Sequence, residues 1–558
     1  MSWEIREQSG KEIVEELQSH LKIPKFICTL LLQRNVDSLK LAKEYFRPNL
    51  DELHDPFLMK DMDKTVERLI KAMDGDEKIM ILGDYDVDGT TSVAMLYDYF
   101  IKKTLKPIYY IPDRYKEGYG VSEESIVFAA EQKVSLIITI DCGIKANDKI
   151  ESANENGIDV IICDHHIPDN SMPKAYSIIN PNQKNCDYPF KGLCGCGIGF
   201  KLISAIEKKM GGSEEVNQYL DLVAIATIAD QMPMINENRT LVHYGLKELN
   251  EHPRPGFHFF IRAINRDIVE SDISFNIGPR INASGRMKSG MLSVKLMIEK
   301  DTNKAYKIAQ EIESINLLRR SKEKEVTEQA IKSTDTLKFT NVVYGTDWNK
   351  GVLGIAASRL VDKFYKPTIV LTLDDNIYTG SARSVANFDI YNAIDSGKKY
   401  LDQYGGHKYA AGLSIKEENL EHFINHFESY VKSAMGNKMF VKKVSYDVEI
   451  NLSDITESNF KLLSRMSPFG ISNYKPVFRT NNCHLVGNLR LLGKEKAHIK
   501  FQITDSKECT IQALGFNMSE HYEQINTKEP FDILYTISRN TFNNSSLLEL
   551  NLKSISFK

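Results

Sequence analysis

Between residues 78 and 163 the chain repeats one rhythm, a short apolar run followed by a segment of helical character. KIMIL (78–82) precedes TSVAMLYDYFIKK, and KPIYYI precedes SEESIVFAAEQK. VSLIITI (134–140) precedes KANDKIESANEN, and IDVIIC (158–163) closes the series. Apolar runs without polar alternation are strands covered on both faces, and strand–helix–strand at this spacing makes neighbouring strands parallel. A doubly wound parallel α/β sheet is the expected core, continued by the helix-like GFKLISAIEKKM and EEVNQYLDLVAIATIA. Open α/β sheets build their sites at the carboxyl edge of the strands. Here that edge is acidic.

Asp84, Asp86 and Asp88 alternate in GDYDVDG, directly after KIMIL. In extended chain, alternate side chains share one face. Three clustered carboxylates raise one another's pKa, and a divalent cation relieves that repulsion. A polar turn after a strand is the plainer reading of such a triplet. A calcium EF-hand loop also begins D-x-D-x-D-G, but it requires Glu at its twelfth position, where this chain has Met95, and a helix rather than a strand before it. Asp141 in TIDCG follows the next strand-like run, and Asp164, His165 and His166 in CDHHIP follow the one after. Asp230 ends the apolar helix-like run ATIAD, where the helix dipole disfavours an anion and a metal would compensate. Carboxylates with imidazole and no thiolate pattern suit manganese or magnesium. Two such ions support phosphoryl displacement, so hydrolysis of a phosphate ester or anhydride is the expected reaction class. Cys186, Cys194 and Cys196 read as free thiols in and near a Gly-rich turn, with no fourth ligand for zinc.

The remaining chain divides by pattern. Its 558 residues suggest three or four domains. SINLLRRSKEKEVTEQAIKS reads as a long charged helix joining two domains. A second α/β region follows, with strands at TNVVYG and PTIVLTL. After about residue 440, short β-type runs predict a small barrel, an OB-fold first among candidates. The expected domains are 1–300, 301–334, 335–438 and 439–558. Apolar residues at 42% and charged residues at 26% exclude a mostly disordered chain. A net charge of −4 means that any nucleic-acid surface is local. No apolar run approaches the roughly 18 residues that span a bilayer, and the charged start lacks a signal peptide's apolar core, so a cytoplasmic protein without a membrane partner is expected.

DYDVDG, TIDCG, CDHH and ATIAD resemble, in order, the four motifs of the DHH phosphoesterase superfamily. GPRINASGRM (278–287), GVLGIAASRL (351–360), GSARS (380–384) and GGHKYAAG (405–412) are similar to the further motifs of its RecJ branch, with a DHHA1-type second domain. The resemblance implies a two-metal (Mn2+ or Mg2+) 5′→3′ exonuclease of DNA repair and recombination, acting on single-stranded DNA and releasing 5′-mononucleotides. It implies Asp86, Asp141 and Asp84 at one ion, and Asp88, Asp141, His165 and Asp230 at the other. His166 is placed beside the scissile phosphate and Asp164 behind it as an orienting group, completing the catalytic set Asp141, His165, His166 and Asp164. Arg114, Ser381 and Arg383 resemble the family's pocket for the 5′-terminal phosphate. Arg280, Arg286, Arg359 and His407 resemble further phosphate and backbone contacts. Tyr119 either stacks on a base or belongs to the core. In the last domain Arg490, Lys494, Lys496 and Lys500 interleave with Tyr474, Phe478, Phe501 and Phe516, a composition that grips single strands, although alternating barrel aromatics are more often core. Family members work with single-strand-binding protein and a helicase, and a monomer is expected. A DHH phosphodiesterase of short oligonucleotides or cyclic dinucleotides is the alternative. Leu82 stands where some relatives carry a His, leaving one ion a ligand fewer.

Overall fold

The computed structural model describes all residues except 1, 8–9, 104, 213–215, 437–439, 506–508, 541–546 and 558. The chain forms two compact units, one of His54–Asp230 with Tyr244–Lys442, the other of Met1–Leu53, Gln231–His243 and Lys443–Lys558.

The first unit holds two sheets. Its parallel sheet runs in the order Ile108–Tyr110, Ile79–Gly83, Leu136–Ile140, Asp159–Cys163, Ser177–Ile179. The apolar runs occupy its centre, with Ile79–Gly83 and Leu136–Ile140 buried at every position. The edge strand Ser177–Ile179 carries too few residues to stand out in the sequence. The helices Val87–Lys102 and Gly195–Met210 pack on one another, as do Val87–Lys102 and Leu220–Ala229. The charged run is one helix, Thr302–Lys332, capped by Asp301, whose side chain accepts from the Lys304 N–H. It packs on Gly278–Met287 and on Leu353–Phe364, so it touches both α/β regions.

The second sheet is mixed. Asn341–Thr346 and Thr368–Asp374 pair in parallel, and Ile377–Arg383, Ala410–Lys416 and Gln403–His407 extend it antiparallel. These last strands contain the motifs GSARS and GGH. Their glycines weaken any strand signal, and packing inside the sheet decides their conformation.

In the other unit a six-stranded sheet closes into a barrel. Phe478–Leu492 pairs with both His498–Thr504 and Phe531–Asn540, and Ile511–Gly515 and Leu547–Phe557 complete the ring. Two runs that read as separate strands are the single strand Phe478–Leu492, which bends at a register shift between Val486 and Arg490. Phe478, Phe501 and Phe531 fill the barrel core. The N-terminal helix Lys25–Leu32 adds Phe26, Ile27, Leu30 and Leu31 to that same core, and Ser2–Ile5 pairs in parallel with Lys443–Tyr446. Asp447, fully buried, draws Arg6 (3.0 Å) and Arg34 (3.9 Å). The N-terminal segment thus shares a hydrophobic core with the barrel.

Candidate active site

The acidic motifs meet at the carboxyl edge of the parallel sheet. Asp84 follows the strand Ile79–Gly83 and is buried. The chain turns at once into the helix Val87–Lys102, and Asp86 caps that helix by accepting the Gly89 N–H at 3.1 Å. The turn is so tight that a Cβ at Gly89 would lie 2.3 Å from the Asp84 carbonyl oxygen, hence the glycine. Asp88, in the first turn, accepts the N–H groups of Gly195 (2.6 Å) and Cys196 (2.8 Å) at the start of the helix Gly195–Met210. An unsatisfied helix N-terminus is a natural seat for a carboxylate.

Asp141 follows Leu136–Ile140 with φ of 62°, a left-handed conformation that Asp tolerates. His165 Nε2 lies 3.1 Å from Asp141 Oδ1 and 3.8 Å from carboxylate oxygens of both Asp88 and Asp230. Asp164 faces the other way. It accepts the backbone N–H groups of His165 (2.7 Å), His166 (3.0 Å) and Ile144 (3.0 Å), and the Nδ1 of His166 lies 2.7 Å away. Asp164 thus holds the His166 imidazole and the backbone of both histidines from behind. Asn180 and Asn182 assist, donating to the carbonyls of His166 (2.9 Å) and His165 (2.6 Å). Sequence reasoning missed this pair, although the NPN stretch that carries them follows the last strand of the sheet.

Charge crowding is visible in the titration behaviour. Burial, then the charge of Asp86, pushes Asp84 well above the usual carboxylate range. Burial and Asp88 raise both Asp86 and Asp141, and burial with Asp88 and Asp86 pushes Asp230 up to about 8. Burial pulls His165 down despite its acidic neighbours, which favours its neutral imidazole form. His166 is raised, because the hydrogen bond and charge of Asp164 outweigh its burial. Burial would raise Asp164 too, yet the hydrogen bond and charge of His166 hold it low.

This donor set fits divalent cations. Ligand atoms of Asp88, His165 and Asp230 lie within 4.8 Å of one another, as do those of Asp141, His165 and His166. Asp84 Oδ1 is buried with no hydrogen-bond partner among the described residues, an orphaned acceptor that a cation would satisfy. Asp84 and Asp86 lie outside both triads. Oxygen with imidazole favours manganese or magnesium.

Three arginines gather beside the acids. Arg114 stacks on the Tyr85 ring, its guanidinium 4.7 Å from the centroid. Arg286, at the end of the helix Gly278–Met287, is lowered to about 10 by burial and by the charges of Arg114, Arg383 and Arg319. Arg383 donates to Ser381 Oγ at 2.8 Å, and burial and Arg114 lower it as well. Gly354 makes room for this pair, since a Cβ there would meet Arg383 at 2.6 Å and Ser381 at 3.0 Å. Half-buried arginines gathered this closely are a cradle for an anion, and the fork geometry suits phosphate. His407 sits exposed at the same end of the second sheet, in register with Arg383 across Ala410. Tyr119 is 55% exposed, which places it at the site and not in the core. Its hydroxyl donates to the Asp141 carbonyl (3.0 Å), and its ring packs against His166 and Tyr85. Beside His166 a cavity of about 530 Å3 opens between Tyr119 and the start of the helix Asn147–Glu155. Arg280 and Arg359 sit elsewhere, paired with Glu313 (2.5 Å) and Glu323 (3.1 Å). Cys194 and Cys196 are buried free thiols, raised by burial, and Cys194 caps its helix.

Residues 78–227 match the DHH family, N-terminal domain, residues 337–433 the DHHA1 domain, and residues 446–554 the RecJ OB domain. The single-stranded-DNA-specific exonuclease RecJ of Bacillus subtilis (strain 168) is 35% identical over 561 residues, which cover 99% of this chain and 70% of that protein. The chain belongs to the RecJ family. RecJ of Haemophilus influenzae is 30% identical over 90% of this chain and 91% of its own. The fold is that of the crystal structure of RecJ in complex with Mn2+ from Thermus thermophilus, with a TM-score of 0.87 at 24% identity, covering all of this chain and 80% of that one. A DHH domain with this donor set makes the chain a metal-dependent phosphodiesterase. Among the described residues no helix is long and apolar enough to cross a membrane.

Proposed function

We propose that the protein is a single-stranded-DNA-specific exonuclease that removes 5′-mononucleotides from the 5′ end, with two Mn2+ or Mg2+ ions. The observation that carries this reading is the juxtaposition, in one unit, of an acidic His-bearing centre and a half-buried arginine cluster. The first suits phosphodiester hydrolysis and the second suits a terminal phosphate. Asp84, Asp86, Asp88, Asp141, His165 and Asp230 would hold the ions. When bound, such a pair activates water and neutralises charge on the phosphate. His166, its charge maintained by Asp164, donates to a non-bridging oxygen of the scissile phosphate. Tyr119 braces the His166 ring and offers a sequence-tolerant face to a base. Arg114, Arg286 and Arg383 with Ser381 grip the 5′-terminal phosphate, which sets polarity and the one-nucleotide step, and His407 lies at the mouth of that pocket.

A RecJ OB domain supports long strands, rather than dinucleotides, as substrates, since such barrels track single strands. We further propose action as a monomer in the cytoplasm, on strands opened by a helicase and held by a single-strand-binding protein, the last two being what the motif resemblance implies. The test is digestion of end-labelled strands, 5′-phosphorylated or not, single or duplex, with either metal. The expected result is mononucleotide release from the 5′ end of single strands. Asp141→Ala should abolish digestion while strand binding, read by fluorescence anisotropy, persists. Undiminished turnover by that variant would sink the assignment.

A further inference from the structure

Phe275 is 77% exposed, although the segment around it is firmly anchored. It lies on the π-helical turn Ile273–Ile277, whose end residues Ile273 and Ile277 are fully buried. Such turns recur at functional sites. A single exposed apolar residue needs no explanation by itself, but the surroundings of this one do. Phe275 borders a groove of about 810 Å3 whose walls carry Arg280, Arg319, Arg320, Lys324 and Arg359 against two acids, Glu323 and Glu328, so the bases remain in excess. Inside it Arg319 gives its terminal nitrogens to Glu323 and Asn316 (2.9 Å each), yet its Nε is buried without a partner among the described residues, as is the Thr327 hydroxyl. Unsatisfied buried donors beside concentrated positive charge call for an anion with acceptor oxygens.

The groove and the arginine cluster share one helix. Arg286 of the arginine cluster feels the charge of Arg319. Arg280 lies six residues before Arg286 on the same helix, about 9 Å along its axis at 1.5 Å per residue. Phe275 is a further turn back, so roughly 15 Å separates it from the cluster.

We propose that Phe275 is a stacking platform for one base of the strand, a few nucleotides 3′ of the scissile phosphate, with Arg319, Arg320, Lys324 and Arg359 holding the flanking phosphates. The inference rests on the exonuclease reading. A charged groove with one aromatic face binds single strands without reading sequence, and paired bases present no free face to it. Phe275 is thus a positioning residue that favours unpaired substrate.

The experiment compares Phe275→Ala and Phe275→Trp with the native chain. Substrates are 5′-phosphorylated strands, a trinucleotide too short to reach the platform, and a series carrying one abasic residue at successive positions. Loss of the ring should raise KM on long strands roughly 5- to 150-fold, the range of a single base–aromatic stack, with kcat and trinucleotide turnover unchanged, and Trp should restore KM. In the native protein one abasic position should reproduce the defect, and in Phe275→Ala that position should have no further effect. An unchanged KM, an equal loss on the trinucleotide, or an abasic series that is flat in the native protein would overturn the platform while leaving the exonuclease reading intact. Failure of the native protein to digest any single strand would remove both.

Discussion

Gly195 touches neither substrate nor a cation ligand through a side chain, yet one methyl group there should disable the metal centre. A Cβ at this position would lie 2.6 Å from the Asp141 Cβ and 2.9 Å from its Cα. Neither atom can retreat easily, because the Asp141 N–H bonds the Cys163 carbonyl at 3.0 Å and its backbone is already left-handed. The Gly195 N–H also holds Asp88 at 2.6 Å, so displacing the helix start disturbs two of the proposed ligands together. Overpacking of this kind costs about 1–3 kcal/mol. In Gly195→Ala it opposes the roughly 0.5–1 kcal/mol by which Ala favours a helix over Gly. If the clash is relieved by moving Asp141, Mn2+ affinity should fall roughly 5- to 150-fold, at about tenfold per 1.4 kcal/mol. Gly197→Ala is the control, since its Cβ would meet only the Leu193 side chain at 3.3 Å and Cys194 Sγ at 3.7 Å. Calorimetric Mn2+ titration and the Mn2+ dependence of strand digestion read the effect, and thermal unfolding in chelator confirms that both variants fold. Native Mn2+ affinity in Gly195→Ala would refute the argument that close helix approach builds the centre.

Three further outcomes are expected. Asp84, Asp86, Asp141 and Asp230 are raised without cations, and each must lose its proton to become a ligand, so Mn2+ affinity should fall as pH drops from 8 to 6, by up to about tenfold per pH unit for each proton displaced; titrations in buffers of different ionisation heat should show proton release, and a pH-independent affinity would contradict the crowding. Arg383→Ala should lower kcat/KM on 5′-phosphorylated strands about 10- to 150-fold, the worth of a charged hydrogen bond of roughly 1.5–3 kcal/mol, and hardly alter strands with a 5′-hydroxyl; equal losses on both would remove the phosphate pocket. Phe501→Ala, in the barrel core, should cost about 3–5 kcal/mol of stability, whereas Phe516→Ala, at a residue 56% exposed, should weaken strand binding without lowering the melting temperature; the reverse pattern would show that the stacking face is misassigned.

The strands of the catalytic sheet were legible because unbroken apolar runs leave few alternatives, and its acidic edge because carboxylates so placed need a counter-charge. Asp230 was legible as an anion at the wrong end of a helix. The second sheet was only half legible. Ser381 and Arg383 stand on a strand, but the glycines around GSARS and GGH suppress strand propensity. Arg280 and Arg359 could be recognised as motif residues, while their ion pairs with Glu313 and Glu323 could not. Of the barrel aromatics, Phe478 and Phe501 are core, and Tyr474 and Phe516 are exposed, a division that alternation along one strand does not resolve.

Local periodicity and side-chain chemistry, readable along the chain, determined the parallel sheet, the kind of ion it attracts and the class of bond it attacks. Tertiary structure alone decided that Asp88 is seated by the N–H groups of residues 195 and 196, that Arg114, Arg286 and Arg383 converge, and that the N-terminal helix Lys25–Leu32 shares the barrel's core. The reason is that contacts between residues about a hundred or more positions apart leave no periodic trace in either segment; they exist only once both surfaces have folded and their buried charges find the partners that offset desolvation.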